Sequence, residues 1–110
     1  MIGRPDTPEG PLEFDDIQAR SVRVSWRPPS DDGGSDILGY MVERREVPKA
    51  AWYTVNARVT ENSLVVKGLK ENVEYHFKVS AENQFGFSRS LKSDDSVTPK
   101  TPLCEYLYFF

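Results

Sequence analysis

The chain has 110 residues, the size of one domain around one core, and at that length it buries roughly two-thirds of its unfolded surface without staples. Fourteen Lys and Arg against 17 Asp and Glu leave a net charge of −3, which argues against a nucleic-acid binder built on clustered basic residues. A single cysteine, Cys104, excludes an intrachain disulfide, and no apolar run reaches the length of a membrane-spanning helix.

Residues 1–10 read as linker, because Pro5, Pro8 and Pro11 with Gly10 keep the chain extended. Over 11–98, short alternating segments divided by turn residues predict an all-β sandwich of seven antiparallel strands in two sheets. Leu12, Phe14 and Ile17 supply the first strand, bent after Phe14 where strict alternation breaks. Val22, Val24 and Trp26 alternate with Arg23, Ser25 and Arg27, giving a half-buried strand with a cationic outer face. Pro28-Pro29 ends it, since proline donates nothing to a ladder, and Gly33-Gly34 reverses the loop from Ser30 to Asp36. Leu38, Tyr40 and Val42 face inward on the next strand, with Met41 and Glu43 outward. Trp52 to Val55 forms a short strand beyond Pro48, and Leu64 and Val66 mark another that ends at Gly68. The longest strand carries Val73, Tyr75, Phe77, Val79 and Ala81 inward, with Glu74, His76, Lys78, Ser80 and Glu82 outward. Asn83 to Gly86 turns the chain into a weak, polar last strand over Ser88 to Thr98. Residues 99–110 return to linker at Pro99 and Pro102 and end in an aromatic tail.

Leu69 lies six residues before Tyr75, at the corner into the longest strand, where a tyrosine hydroxyl can tie back to nearby backbone. With Trp26 on the second strand, Tyr40 and Val42 on the third, and the run Ala81-Glu82-Asn83-Gln84-Phe85-Gly86-Phe87-Ser88 at the last hairpin, the order and spacing over 11–98 resemble a fibronectin type III domain. The resemblance implies an immunoglobulin-like sandwich with Trp26, Tyr40, Val42, Leu69, Tyr75 and Phe77 in its core. The stretch from Trp26-Arg27-Pro28-Pro29 through Gly39-Tyr40-Met41-Val42-Glu43-Arg44-Arg45 is similar to the fibronectin modules of the titin, twitchin and myosin-binding-protein families, as are Trp52 and Leu69-Lys70-Glu71-Asn72-Val73-Glu74-Tyr75. This narrower resemblance implies a cytoplasmic, sarcomeric setting in tandem arrays, with the myosin filament and adjacent immunoglobulin or fibronectin modules as protein partners. Cell-surface adhesion receptors share the loop pattern more loosely, so an extracellular module is the alternative, and a module flanking a kinase in a muscle giant is a third. None of the asparagines, Asn56, Asn62, Asn72 and Asn83, has Ser or Thr two places on, and this lack of a glycosylation acceptor, with the lack of a disulfide, suits the intracellular reading.

Chemistry is thin. The run Asp31-Asp32-Gly33-Gly34-Ser35-Asp36 has oxygens enough for calcium, but the twelfth position is Val42 rather than a bidentate Glu, so a solvated turn is expected. His76 has no second His or Cys nearby in sequence to complete a metal site, and no G-x-S-x-G nucleophile motif occurs. No enzyme, cofactor, metal, nucleic acid or membrane is therefore expected. Arg23 with Arg27, and Arg44 with Arg45, are candidate cationic patches for an acidic coiled-coil partner, weighed against a merely solubilising surface. Phe85 and Phe87 flank Gly86 where adhesive modules can carry Arg-Gly-Asp, which this chain lacks; one of them is expected to pack on the sandwich end or a neighbouring domain. The isolated domain is expected to be monomeric. The tail Leu103 to Phe110, with Tyr106, Tyr108, Phe109 and Phe110, has high β-propensity and one charge; it reads as an unusual terminus or the truncated opening strand of another module, with an anchor or promoter of association as the functional alternative.

Overall fold

The computed structural model describes residues 2–102. The regular structure among them is β: β1 (Glu9–Asp15), β2 (Val22–Arg27), β3 (Gly39–Glu46), β4 (Tyr53–Val59), β5 (Ser63–Val66), β6 (Tyr75–Asn83), β7 (Gly86–Phe87) and β8 (Leu91–Lys92). One sheet runs β1-β2-β5 and the other β4-β3-β6-β7, with β8 also on β6; every pairing is antiparallel.

Because β7 and β8 lie along the same edge of β6, the eight segments fill seven strand positions. Serine hydroxyls fill the ladder where this last strand breaks. Ala81 N–H donates to Ser88 Oγ at 2.9 Å and Phe77 N–H donates to Ser93 Oγ at 3.1 Å, while Tyr75 and Val97 exchange both backbone hydrogen bonds beyond the break. Small hydroxyl side chains can stand in for backbone acceptors, which is why so polar a segment still closes the sheet.

The core lies between the sheets. Leu12, Val22, Val24, Trp26 and Val66 come from the three-stranded sheet, and Tyr40, Val42, Val59, Tyr75, Phe77, Val79 and Ala81 from the five-stranded one, with Leu69 and Val97 closing one end. Strand alternation produces this directly: β2 buries Val22, Val24 and Trp26 and exposes Arg23 and Arg27. Aromatic rings tie the layers together. Trp26 meets Tyr40 edge-on at 5.4 Å between centroids, and Phe14 meets Phe77 at 5.7 Å.

The structure departs from the expected pattern in five places. β1 begins at Glu9, inside the stretch read as linker, and its register slips between Glu9 and Glu13 rather than after Phe14, where Pro11 interrupts the ladder. Ile17 follows the end of β1 and is 37% exposed. Leu38 is 44% exposed and Ile37 packs on the core in its place; the strand begins only at Gly39, where a Cβ would sit 2.5 Å from Arg58 Cγ. The fourth strand is Tyr53–Val59 rather than Trp52 to Val55, an edge strand that slips register twice against β3. The longest strand starts at Tyr75 instead of Val73 and runs on to Asn83, so a residue read as part of the turn is inside the sheet.

Candidate interaction surfaces

The two described ends of the chain leave the sandwich at opposite poles. At one pole the segment before β1 lies against the β2–β3 loop: Gly3 N–H donates to Gly33 O at 2.8 Å and Asp6 N–H to Asp31 O at 2.9 Å. Asn83, 2% exposed, locks the arrangement. Its Nδ2 donates to Gly3 O and Asp32 O, both at 2.8 Å, and its Oδ1 accepts from Phe85 N–H at 2.8 Å. The acidic loop is folded on itself, with Asp31 Oδ1 accepting from Gly33 N–H and Asp32 Oδ1 from Gly34 N–H. Among the described residues, no three His, Cys, Asp or Glu side chains converge as a metal site would require. Phe85 and Phe87 stand at this pole, 45% and 39% exposed.

At the other pole, Asn72 N–H donates to Pro99 O at 2.8 Å and Thr101 Oγ1 donates to Glu71 Oε2 at 2.6 Å. The Thr101 hydroxyl and, at 3.2 Å, the Thr101 N–H both donate to that carboxylate and hold the Glu71 carboxyl below the usual range. The Tyr75 hydroxyl accepts from Lys70 N–H at 2.9 Å, closing the corner that leads into β6.

The outer face of the three-stranded sheet is not the cationic patch that β2 alone suggests. Arg23 donates to both oxygens of Asp15, at 2.7 and 2.8 Å, and Arg27 donates to the Gly10 carbonyl. Hydrogen bonding to Arg23 keeps the Asp15 carboxyl below its ordinary value and the guanidinium above its own. The cross-strand partners explain it: β1 sets Glu9 opposite Arg27 and Asp15 opposite Arg23. Reading one strand at a time hides this pairing of Arg23 with Asp15, which depends on the register between β1 and β2.

Arg44 and Arg45 do not form one patch either, because neighbours on a strand face opposite ways. Arg44 sits 5.6 Å from the centroid of the buried Tyr75 ring, and Arg45 stands 5.6 Å from that of Trp52 on the outer face. There Lys78 Nζ also approaches Trp52, at 4.5 Å. A hollow of about 290 Å³ opens beside them, lined by Arg45, Trp52, His76, Lys92 and Ser93. Of these, only Arg45 is a partner-binding candidate by sequence; Trp52 enters through the family resemblance and His76 as a histidine without a metal-site companion. The outward parity of His76 and Lys78 was legible, but Lys92 joins them only through the pairing of β8 with β6. Tyr106, Tyr108, Phe109 and Phe110 lie outside the described residues.

The sequence profile of the fibronectin type III domain matches residues 6–95, and the chain belongs to that family, a non-catalytic module type. It is 38% identical over 98 residues to a titin homolog of Caenorhabditis elegans, covering 89% of this chain and a share of the relative that rounds to 0%. It is 33% identical over 102 residues to the cardiac-type myosin-binding protein C of Gallus gallus, covering 93% of this chain and 8% of the relative. Among solved structures, domains A168–A170 of titin superpose with a TM-score of 0.80 at 35% identity, over 88% of this chain and 32% of that one. The titin kinase with its flanking domains superposes with a TM-score of 0.79 at 34% identity, over 87% and 17%. The chain thus spans a small part of each relative's length and is homologous to modules of muscle proteins.

Proposed function

We propose that the chain is a non-catalytic structural and protein-binding module of a multidomain sarcomeric scaffold, spacing its neighbours and contacting the thick filament or adjacent modules. The observation that carries this reading is the placement of the ends. One is hydrogen-bonded at the Asn83 pole and the other at the Glu71 pole, so a neighbour on each side continues the same axis. The nine-residue strand β6 spans roughly 30 Å, enough to set a repeat distance. Similarity to titin and to a cardiac-type myosin-binding protein supports a cytoplasmic, sarcomeric place. The module needs no cofactor and carries out no reaction in this role.

Co-sedimentation of the chain with reconstituted myosin filaments across a salt series, with and without residues 103–110, tests the filament contact. Salt-sensitive pelleting of both versions is the expected result. Failure of both to pellet even at low salt contradicts it, and pelleting only with the tail moves the contact to Tyr106, Tyr108, Phe109 and Phe110. The superposition on the titin kinase with its flanking domains favours a second reading, in which the module positions or restrains a neighbouring kinase.

A further inference from the structure

We infer that the Trp52 face of the five-stranded sheet docks an acidic, carboxylate-rich peptide segment of a partner protein. This goes beyond the spacer reading and is independent of it, since a spacer needs only its two poles.

Charge segregation is the first argument. The chain as a whole carries −3, yet the residues lining the hollow are Arg45, Lys92, His76, Ser93 and Trp52, with no carboxylate among them. Lys78 stands beside them over Trp52. Its carboxylate neighbour, Glu43 Oε2, is 3.7 Å away, a loose pairing compared with the two short bonds that join Arg23 to Asp15 on the opposite face. Among the described residues, neither Arg45 nor Lys92 is within ion-pair distance of a carboxylate.

Preorganisation is the second argument. Arg45 Nη1 donates to the Lys49 carbonyl at 2.8 Å, which fixes the guanidinium against Trp52 and leaves its other donors available. His76 Nδ1 lies 3.3 Å from Ser93 Oγ, itself held by Phe77 N–H. Donors already held in place lose little freedom on binding. A guanidinium fork suits one carboxylate and an ammonium a second, while the methylene stems of Glu side chains lie on the indole. These features select an extended acidic segment with neighbouring carboxylates.

The test is an NMR titration of the 15N-labelled chain with a blocked octaglutamate peptide, repeated for Lys92→Glu, Arg45→Gln and, on the other sheet, Arg23→Gln. Thermal midpoints confirm that each variant is folded. The expected shifts centre on the Trp52 indole N–H and the amides of Arg45, His76 and Ser93, while the indole of buried Trp26 stays still and serves as an internal reference. Affinity is expected to fall roughly fivefold or more in Lys92→Glu and in Arg45→Gln, to be unchanged in Arg23→Gln, and to weaken as salt rises from about 50 to 300 mM. Shifts centred on the Arg23–Arg27 face, or wild-type affinity in both Lys92→Glu and Arg45→Gln, would overturn the inference. So would a sulfated polysaccharide that shifts the Trp52 face when octaglutamate does not.

Discussion

Tyr75 and Asn83 stand at the two ends of β6, and each uses a buried polar atom to hold backbone in place. The Tyr75 ring is fully buried and its hydroxyl takes the Lys70 N–H at 2.9 Å. Tyr75→Phe keeps the ring and strips only the acceptor, so an unpaired N–H remains and stability is expected to fall by about 1–3 kcal/mol. Urea unfolding would report this as a lower midpoint at unchanged slope; an unchanged midpoint would mean that the hydroxyl contributes nothing. Trp26 differs in kind. Its Nε1–H is buried without a partner, so packing against Tyr40 holds it rather than a polar bond. The sequence made Tyr75 and Leu69 legible because a corner tyrosine has a characteristic spacing. Asn83 was not legible. It continues the inward parity of Tyr75, Phe77, Val79 and Ala81, but a polar residue at the end of an apolar series reads as a turn until its partners are seen.

Those partners belong to the segment before β1, which is an element of the fold although its prolines read as linker. Pro5 and Pro8 are buried, and Gly33, at φ +79°, leaves no room for a side chain: a Cβ there would lie 2.2 Å from Gly3 O. Gly33→Ala is therefore expected to push the segment off the β2–β3 loop while the sandwich stays folded. Amide exchange at Gly3 and Asp6 should rise by roughly tenfold or more, with little change at Val79 in the centre of β6; unaltered exchange at Gly3 would contradict the clamp. Edge strands were the least legible elements. In β4, Asn56, Ala57 and Arg58 are all exposed, so no alternation marks a strand that β3 alone holds in register. The last strand was legible as weak and polar, but the use of Ser88 and Ser93 hydroxyls in its ladder depends on geometry across to β6. The central strands β2 and β6 were legible because one face of each packs on the opposite sheet while the other faces outward, so buried residues recur at every second position over most of their length.

At the scale of the whole molecule, acidic side chains anchor several elements from outside the core. Asp15 binds Arg23, Glu46 lies between Lys70 and Lys49 at 3.3 Å from each, and Glu71 holds Thr101. All three carboxyls are held below their ordinary values, 3.8 for the Asp and 4.5 for the Glu residues. The folded state therefore binds fewer protons than the unfolded chain in this range. Their contribution is complete above the ordinary values and is lost as pH falls through the lowered ones. The thermal midpoint should drop as pH falls below about 4.5, and it should do so less steeply in Asp15→Asn combined with Glu46→Gln; identical acid profiles would exclude these pairs as a cause. In the proposed spacer role, tension between neighbouring modules would pass through the sandwich from the Asn83 pole to the Glu71 pole. Single-molecule stretching of identical copies joined head to tail tests it most directly. Evenly spaced ruptures, each releasing roughly 300 Å of chain for some 90 folded residues, are the predicted result, whereas smooth extension without ruptures would show that the module does not bear the load between its ends.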